Sequence, residues 1–261
     1  MVYTDSGDGP PIVFVHGNPS SGAEFDAVVS ALGSSYRCIA PDLIGFGDSD
    51  KPTEWSYLPD EHAQLVASLL DELDLQDVTM VVGDWGGPIG LSWCLNNPER
   101  VRRLVITNTW LWSVRASLYY RGFSGFMGGP IGRYLIKNHN IFATQVVKQA
   151  WGTRSELTPE LHATFTSVHP DKETRKGMWV FPKQIIGSSD WLAQLWSRRE
   201  VLADIDMTLL WGMTDIAFRE DVLDTWIDAF PHAAVHRLED CGHFIALEAT
   251  DALVDLLREG D

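Results

Sequence analysis

The stretch VTMVVGDWGGPIG, Val78 to Gly90, runs an apolar strand pattern straight into an acid, Asp84, and then into Gly86 and Gly87. The pattern predicts a strand, a tight turn and a helix, with small residues letting the helix fold back on the strand. An acid at the tip of that turn is held over the carboxyl ends of the strands, where open α/β sheets bind ligands. The helix start beside it offers free backbone N–H groups and the positive end of a dipole, which suit a developing anion. Such a carboxylate can serve as a nucleophile; the plainer reading is a helix cap. Three other polar turns follow apolar runs: HGNP (His16 to Pro19), WGMTD (Trp211 to Asp215) and CGHF (Cys241 to Phe244). They place a second acid, Asp215, and then a histidine, His243, after the first acid in chain order. A nucleophile, a base and a carboxylate to orient the base are the parts of a covalent hydrolytic site.

These loops can meet only if the runs before them are strands of one sheet. Short Val- and Ile-rich runs alternate with longer helical patterns, the signature of a parallel sheet wrapped by helices. Strands are expected at Pro11 to His16, Arg37 to Asp42, Val78 to Gly83, Val101 to Asn108, Met207 to Gly212 and Ala233 to Leu238. Helices are expected over about 60–73, from the turn at Asp84 through Asn96, and near 188–200, 220–230 and 244–258. Between 111 and 183 the chain turns rich in Trp, Tyr, Phe and Gly without a strand pattern, and reads as a helical cap. The expected main domain is 1–110 with 184–261, the cap 111–183.

Composition bounds the possibilities. The 261 residues suffice for one large domain or a domain with an insertion, and for a substantial core. Apolar residues make up 45% and charged residues 21% of the chain. No apolar run approaches the length needed to cross a membrane, and the N-terminus lacks a signal-peptide pattern, so a cytoplasmic location is expected. The net charge of −16 argues against nucleic acid and anionic membrane as partners. The abundance of aspartate over lysine resembles surfaces from salt-loving organisms, although an ordinary acidic cytosolic protein has it too. Cys38, Cys94 and Cys241 have no CxxC spacing and read as core thiols. The histidines His16, His62, His139, His162, His169, His232 and His236 show no metal spacing; His16 reads as structural.

HGNPSS, CIAPDLIGFGDSDKP, GDWGGPIGL, NNPERV, Phe181-Pro182, WGMTDIAF and CGHFIALE stand in an order that resembles the haloalkane dehalogenases of the α/β-hydrolase superfamily. The resemblance covers nearly the whole chain and is weakest in the cap. It implies an α/β-hydrolase fold, a mostly parallel doubly wound sheet with a helical cap, and an enzyme without cofactor or metal. Asp84 would displace halide from a saturated carbon and become an alkyl ester; His243 would activate water against that ester. Trp85 and Asn18 would bind halide through side-chain N–H groups, and their backbone N–H groups would hold the oxyanion. The implied partners are a small apolar halogenated substrate, water and halide.

One branch of the family carries a glutamate at the position of Asn108, in VITNTWLW, to pair with the histidine. Asparagine cannot supply that charge, and other branches use an aspartate after the next strand, which is Asp215 here. Asp215 with Asn18 and Trp85 is the residue set of the third branch. Asp204 and Asp206 precede the strand and suit the role less. Val82 stands where many elbows of the superfamily have glycine. Relatives usually carry a longer start with a further strand, so this sheet edge is expected to be missing or remade, and an unpaired edge invites self-association into a homo-oligomer. Phe123, Phe126, Trp151, Phe142, Trp110 and Trp112 could line an apolar pocket or simply pack the cap.

Two rivals stand. An epoxide hydrolase shares the acid, the second acid and the histidine and uses cap tyrosines, here Tyr119, Tyr120 or Tyr134, but has no use for a halide clamp. A silent receptor for an apolar molecule would keep the fold without the chemistry. A carboxylester hydrolase is disfavoured because Ser92 lies inside the helix and not at the elbow.

Overall fold

The computed structural model describes residues 1–259. Its strands are β1 (Tyr3–Ser6), β2 (Pro11–Val15), β3 (Arg37–Pro41), β4 (Val78–Val82), β5 (Val101–Thr107), β6 (Asp206–Gly212) and β7 (Ala234–Leu238). Among the described residues they form one seven-stranded sheet in the order β1-β3-β2-β4-β5-β6-β7. Every pairing is parallel except that of β1 with β3. The α/β-hydrolase architecture expected from the sequence is present.

The near-continuous apolar runs of the strands are explained by burial on both faces. Val13, Val15, Met80, Val82, Leu104, Ile106, Leu209 and Trp211 pack to one side, against α2 (Pro59–Glu72), α3 (Gly86–Asn96), α9 (Ser189–Ser197) and α10 (Glu220–Ala229). Their neighbours Ile12, Phe14, Val81, Val105 and Leu210 pack to the other side, against α1 (Asp26–Leu32), α11 (Ile245–Glu248) and α12 (Thr250–Glu259). The two-residue period of a strand divides the run between two cores.

β1 forms the sheet edge and runs antiparallel to β3, with Tyr3 opposite Pro41 and Ser6 opposite Cys38. Arg37 on β3 reaches across to Asp5 at 2.7 Å. The sequence does not announce this strand, because all four of its residues are exposed and no apolar alternation marks it. The single helix expected near 244–258 is two: α11 and α12 meet at Ala249, whose backbone leaves the helical region.

Between β5 and β6 lie α4 (Leu118–Met127), α5 (Pro130–His139), a π turn at Phe142–Val146, α6 (Val147–Ala150), α7 (Pro159–Thr166), α8 (Lys176–Gly187) and α9, with no strand among the described residues. The expected cap boundary at 183/184 falls inside α8, whose Pro182 is accommodated within the helix. Cys38, Cys94 and Cys241 are free and buried. No helix among the described residues is long and apolar enough to cross a membrane.

Candidate active site

β4 ends at Val82, and Asp84 follows in the left-handed region at φ 46°. A non-glycine residue held there is strained, and such strain collects at functional positions. Neighbours impose it. The Asp84 N–H donates to the Asn108 carbonyl at 3.0 Å, and the Thr109 hydroxyl donates to the Asp84 carbonyl. Gly86 is required because a Cβ there would stand 1.9 Å from the Val15 carbonyl oxygen. Gly17 is required because a Cβ there would stand 2.2 Å from the Asp84 carboxylate. The backbone after β2 thus passes directly over the acid.

That approach lets the Asn18 N–H donate to Asp84 Oδ1 at 2.7 Å. The Trp85 N–H also faces this carboxylate. Burial raises the Asp84 pKa, while His243 and these two N–H groups pull it back down. An anion at this position is therefore served by two fixed backbone donors, Trp85 at the start of α3 and Asn18 on the loop after β2.

His243 stands on the loop after β7. Its Nε2 lies 3.9 Å from Asp84 Oδ2, and its Nδ1 lies 2.8 Å from Asp215 Oδ2. Asp215 follows β6 and is 3% exposed. Its other oxygen accepts from the Ala217 N–H at 2.6 Å. Burial alone would lower the His243 pKa; the Asp215 carboxylate, seconded by Asp84 and Glu24, raises it to about 9. A buried imidazolium between two acids is the resting arrangement near neutral pH.

Asn108 does not face the histidine. Its Nδ2 donates to Asp215 Oδ2 at 2.9 Å and to the Gly212 carbonyl at 3.0 Å, and its Oδ1 accepts from the Gly212 N–H at 2.8 Å. The amide spans β5 and β6 and holds Asp215 towards the ring. The structure brings Asp84, His243, Asp215, Asn18 and Trp85 together at the carboxyl ends of β2, β4, β6 and β7. Asp206 instead opens β6 and pairs with Arg103 at 3.3 Å.

Above Asp84 lies a pocket lined by Asn18, Asp84, Trp85, His243 and an otherwise largely apolar wall. Of the candidate aromatic lining, Trp110, Phe123 and Phe142 face it. Phe126 is exposed, and Trp112 packs against Trp196 and Trp226. Trp151 stands beside Phe244 outside the lining, with its indole N–H on the Ser155 carbonyl. Pro182, Ile185 and Phe218 complete the apolar wall. Trp85 is 2% exposed, and among the described residues its indole N–H has no protein acceptor. By contrast, the buried indoles of Trp93, Trp211 and Trp226 donate to Asp71, Phe218 and Thr109. The Asn18 amide likewise keeps a buried oxygen without a partner. The Trp85 ring stacks on Phe181 and meets Trp110 edge-on; among the described residues its N–H and the Asn18 amide oxygen are left without protein partners at the pocket, as is the Trp110 indole N–H.

The cap tyrosines are committed. Tyr119 donates its hydroxyl to the Ile216 carbonyl at 2.6 Å and Tyr120 to the Ala217 carbonyl at 2.8 Å, while Tyr134 is exposed and outside the pocket. Two carboxyls near the site escaped the sequence analysis. Glu248 accepts from the N–H groups of Gly152, Gly242 and Phe244 at 2.7, 2.9 and 3.1 Å. Glu24, in the 3-10 turn Gly22–Phe25, lies close enough to feel both Asp84 and His243. The final Glu of CGHFIALE was on view without a reason to single it out, and nothing in GAEF marks Glu24.

Residues 10–250 match the family described as the alpha/beta hydrolase fold. Over 98% of its length the chain is 34% identical to haloalkane dehalogenase 2 of Mycobacterium tuberculosis, covering 90% of that protein. Over 98% of its length it is also 31% identical to the cis-3-alkyl-4-alkyloxetan-2-one decarboxylase of Shewanella oneidensis, covering 83% of it. Among solved structures it resembles the haloalkane dehalogenase DatA from Agrobacterium tumefaciens C58, with a TM-score of 0.86, 25% identity and coverage of 98% of this chain and 90% of that one.

Proposed function

The chain belongs to the alpha/beta hydrolase fold family as a haloalkane dehalogenase-like member, and from that premise we propose that it hydrolyses haloalkanes to alcohol and halide through an alkyl ester on Asp84. One observation carries the reading: a carboxylate, and not a hydroxyl, stands at the elbow beneath an apolar pocket, with His243 Nε2 3.9 Å from it. A carboxylate suits displacement at a saturated carbon. The 3.9 Å separation is too long for a direct hydrogen bond and leaves His243 free to engage a water beside the ester.

In the first step an Asp84 oxygen bonds to the halogen-bearing carbon and the halide departs. Its growing charge meets the indole N–H of Trp85 and the amide N–H of Asn18, which act in a dry site and need no reorganisation. In the second step His243, as neutral imidazole, takes a proton from water, and the hydroxide adds to the ester carbonyl. The backbone N–H groups of Asn18 and Trp85, already on the Asp84 carboxylate, hold the oxyanion. Asp215, steadied by Asn108, stabilises the imidazolium. This residue set is that of the third branch of the dehalogenases. The substrate would be small and apolar, matching the pocket wall, and the helices α4 to α8 act as the cap domain that selects it.

Halide release from 1-bromobutane and 1,2-dibromoethane tests the proposal, with Asp84→Ala as control. Bromide release by the parent and none by the variant is expected. His243→Phe should stop turnover and accumulate the alkyl ester, seen as a mass increase on the peptide carrying Asp84. Absence of both bromide and adduct from folded protein would sink the proposal.

A second reading rests on the decarboxylase relatives, which match 98% and 99% of the chain. Loss of carbon dioxide from a disubstituted oxetan-2-one leaves, by atom balance, an alkene. The same pocket and carboxylate would serve a lactone with alkyl arms. Alkene and carbon dioxide from such a lactone, with no bromide from haloalkanes, would favour it. The epoxide reading loses support, since the hydroxyls of Tyr119 and Tyr120 already donate to backbone carbonyls.

A further inference from the structure

Asn18, Asp84 and His243 form a wall between two cavities. In front is the apolar pocket under the cap. Behind is a smaller cavity that the same three residues and Phe244 line, together with Ser20, Glu24 and Thr107. Thr107 is committed to the Val82 carbonyl at 3.0 Å. Glu24 is not used by the hydrolytic scheme, keeps some surface exposure, and reaches the back of the reacting groups.

We propose that the rear cavity is the aqueous side of the active site and that Glu24 passes the proton of each turnover from His243 to solvent. This rests on the hydrolytic reading above. An alkyl ester on Asp84 occupies the front pocket beside an apolar wall, and the rear cavity gives water and protons a second approach to His243. The rear cavity touches both His243 and Asp84 and adds the side chains of Ser20 and Glu24, which the front pocket does not have.

The charges require such an outlet. Asp84 is one of the carboxylates that hold the proton on His243. Alkylation turns it into a neutral ester and removes that hold. The imidazolium must still lose its proton before it can act as a base. An N–H bond at Nε2 breaks and an O–H bond forms on Glu24, by way of water in the cavity; Glu24 then releases the proton to solvent. Neutral His243 next takes a proton from water. The hydroxide adds to the ester carbonyl, and the bond to the alkoxy oxygen breaks. The new hydroxyl's proton leaves with the alkoxide as alcohol, which restores the Asp84 carboxylate and the imidazolium. The sum is haloalkane plus water to alcohol, halide and one proton, and that proton is the one Glu24 exports.

The surroundings keep Glu24 near neutrality. Burial raises its pKa to about 7, against the pull of the Ser20 hydroxyl and His243, while Asp84 pushes it up further. The other charged groups near its turn are engaged or on its far flank. Asp42, after β3, accepts from the N–H groups of Gly22 and Asp48 at 2.7 Å each. Glu248 on α11 serves three backbone N–H groups. Asp26 opens α1 on the exposed side, and His16 after β2 accepts from the Leu43 N–H.

Stopped-flow halide release with 1,2-dibromoethane tests the relay in the parent, Glu24→Gln and Glu24→Asp. Glu24→Gln should show the same first burst of bromide, while its kcat at pH 7 falls about tenfold. Rising concentrations of imidazole should restore that kcat, and Glu24→Asp should keep most of it. An unchanged kcat in Glu24→Gln across pH 6–9 would overturn the relay. So would a slowed burst together with a loss that imidazole does not restore, since that marks a structural role. A parent that releases no bromide at all would overturn the hydrolytic reading and the relay with it, and a parent that turns over without a burst would overturn the relay alone, since proton export would then not limit kcat.

Discussion

At the scale of single residues, the site depends on groups that bear no reacting atom. Asn108 satisfies Gly212 at both backbone atoms and steers Asp215. It is 1% exposed, so truncation would leave those groups without partners or water. Asn108→Ala should cost about 2 kcal/mol of stability by urea unfolding. It should also slow ester hydrolysis about tenfold, leaving the halide burst intact; an unaltered hydrolysis rate would remove Asn108 from the positioning role. The titrating groups give a second expectation. His243 has a folded pKa near 9 against 6.5 for the free side chain, so its contribution is full below pH 6.5 and is lost as pH rises to about 9. Glu24 is raised from 4.5 to about 7, so the folded state also holds its proton more tightly and loses stability over that lower window. Above pH 6.5 stability should therefore decline towards 9. Below 6.5 the loss due to Glu24 is opposed by His16, His62 and His169, which burial keeps neutral in the folded state, so that stability gains from them as pH rises. The Glu24 share is the difference between parent and Glu24→Gln, which should appear below pH 7 and vanish above it. Urea midpoints measured at half-unit steps would check this, and a slope unchanged in the variant would contradict the placing of Glu24.

At the scale of elements, the strands were legible because burial on both faces leaves a continuous Val- and Ile-rich run, and a polar turn marks where each one delivers a side chain. Asp84, Asp215 and His243 were legible for the same reason: each is the polar residue that interrupts such a run. Three things were not. β1 has exposed residues on both faces, so no periodicity marks it. The break between α11 and α12 follows from Glu248, which bends back to the N–H of Phe244 and forward to Gly152 beyond α6, a contact with no local signature. Glu24 lies in a short turn far from the elbow in sequence and meets it only in the folded chain. Glu248 has a consequence at this scale. It joins the loop that carries His243 to the segment after α6, and the His243 N–H donates to the Ala150 carbonyl at 2.9 Å in the same joint. Glu248→Ala would leave three buried N–H groups unserved and should cost about 3 kcal/mol, with kcat falling more than KM changes because the base is displaced and the pocket is not. Equal loss in kcat and KM would place its effect on the pocket instead.

At the scale of the whole molecule, the negative charge is divided unevenly. Residues 111–183 hold 10 Lys and Arg against 4 Asp and Glu, a net of +6; the remaining residues hold 10 against 32, a net of −22. No Asp or Glu stands between Glu99 and Glu156. Self-repulsion is therefore concentrated in the body that carries the sheet, where it opposes the compact state. It is visible on α10, where Glu220, Asp224 and Asp228 follow one another at four-residue intervals and stand exposed. Like charges at that spacing destabilise a helix by a few tenths of a kcal/mol per pair at low salt. The Debye length falls from about 10 Å at 0.1 M salt to about 3 Å at 1 M, shorter than the roughly 5–6 Å between such neighbours. The melting temperature should accordingly rise by roughly 5 °C between about 0.05 and 1 M sodium chloride. Asp224 is in the middle of the helix, with Glu220 and Asp221 one turn before it and Asp228 one turn after, so Asp224→Asn relieves three repulsions and leaves both ends unchanged. It should raise the melting temperature by about 2 °C at low salt and by almost nothing at 1 M. Calorimetry at both salts separates screening from salting-out, because salting-out strengthens burial in parent and variant alike. A gain that persists at 1 M would mean the substitution acts by helix propensity or packing, and the acidic body would then not be the seat of the salt response.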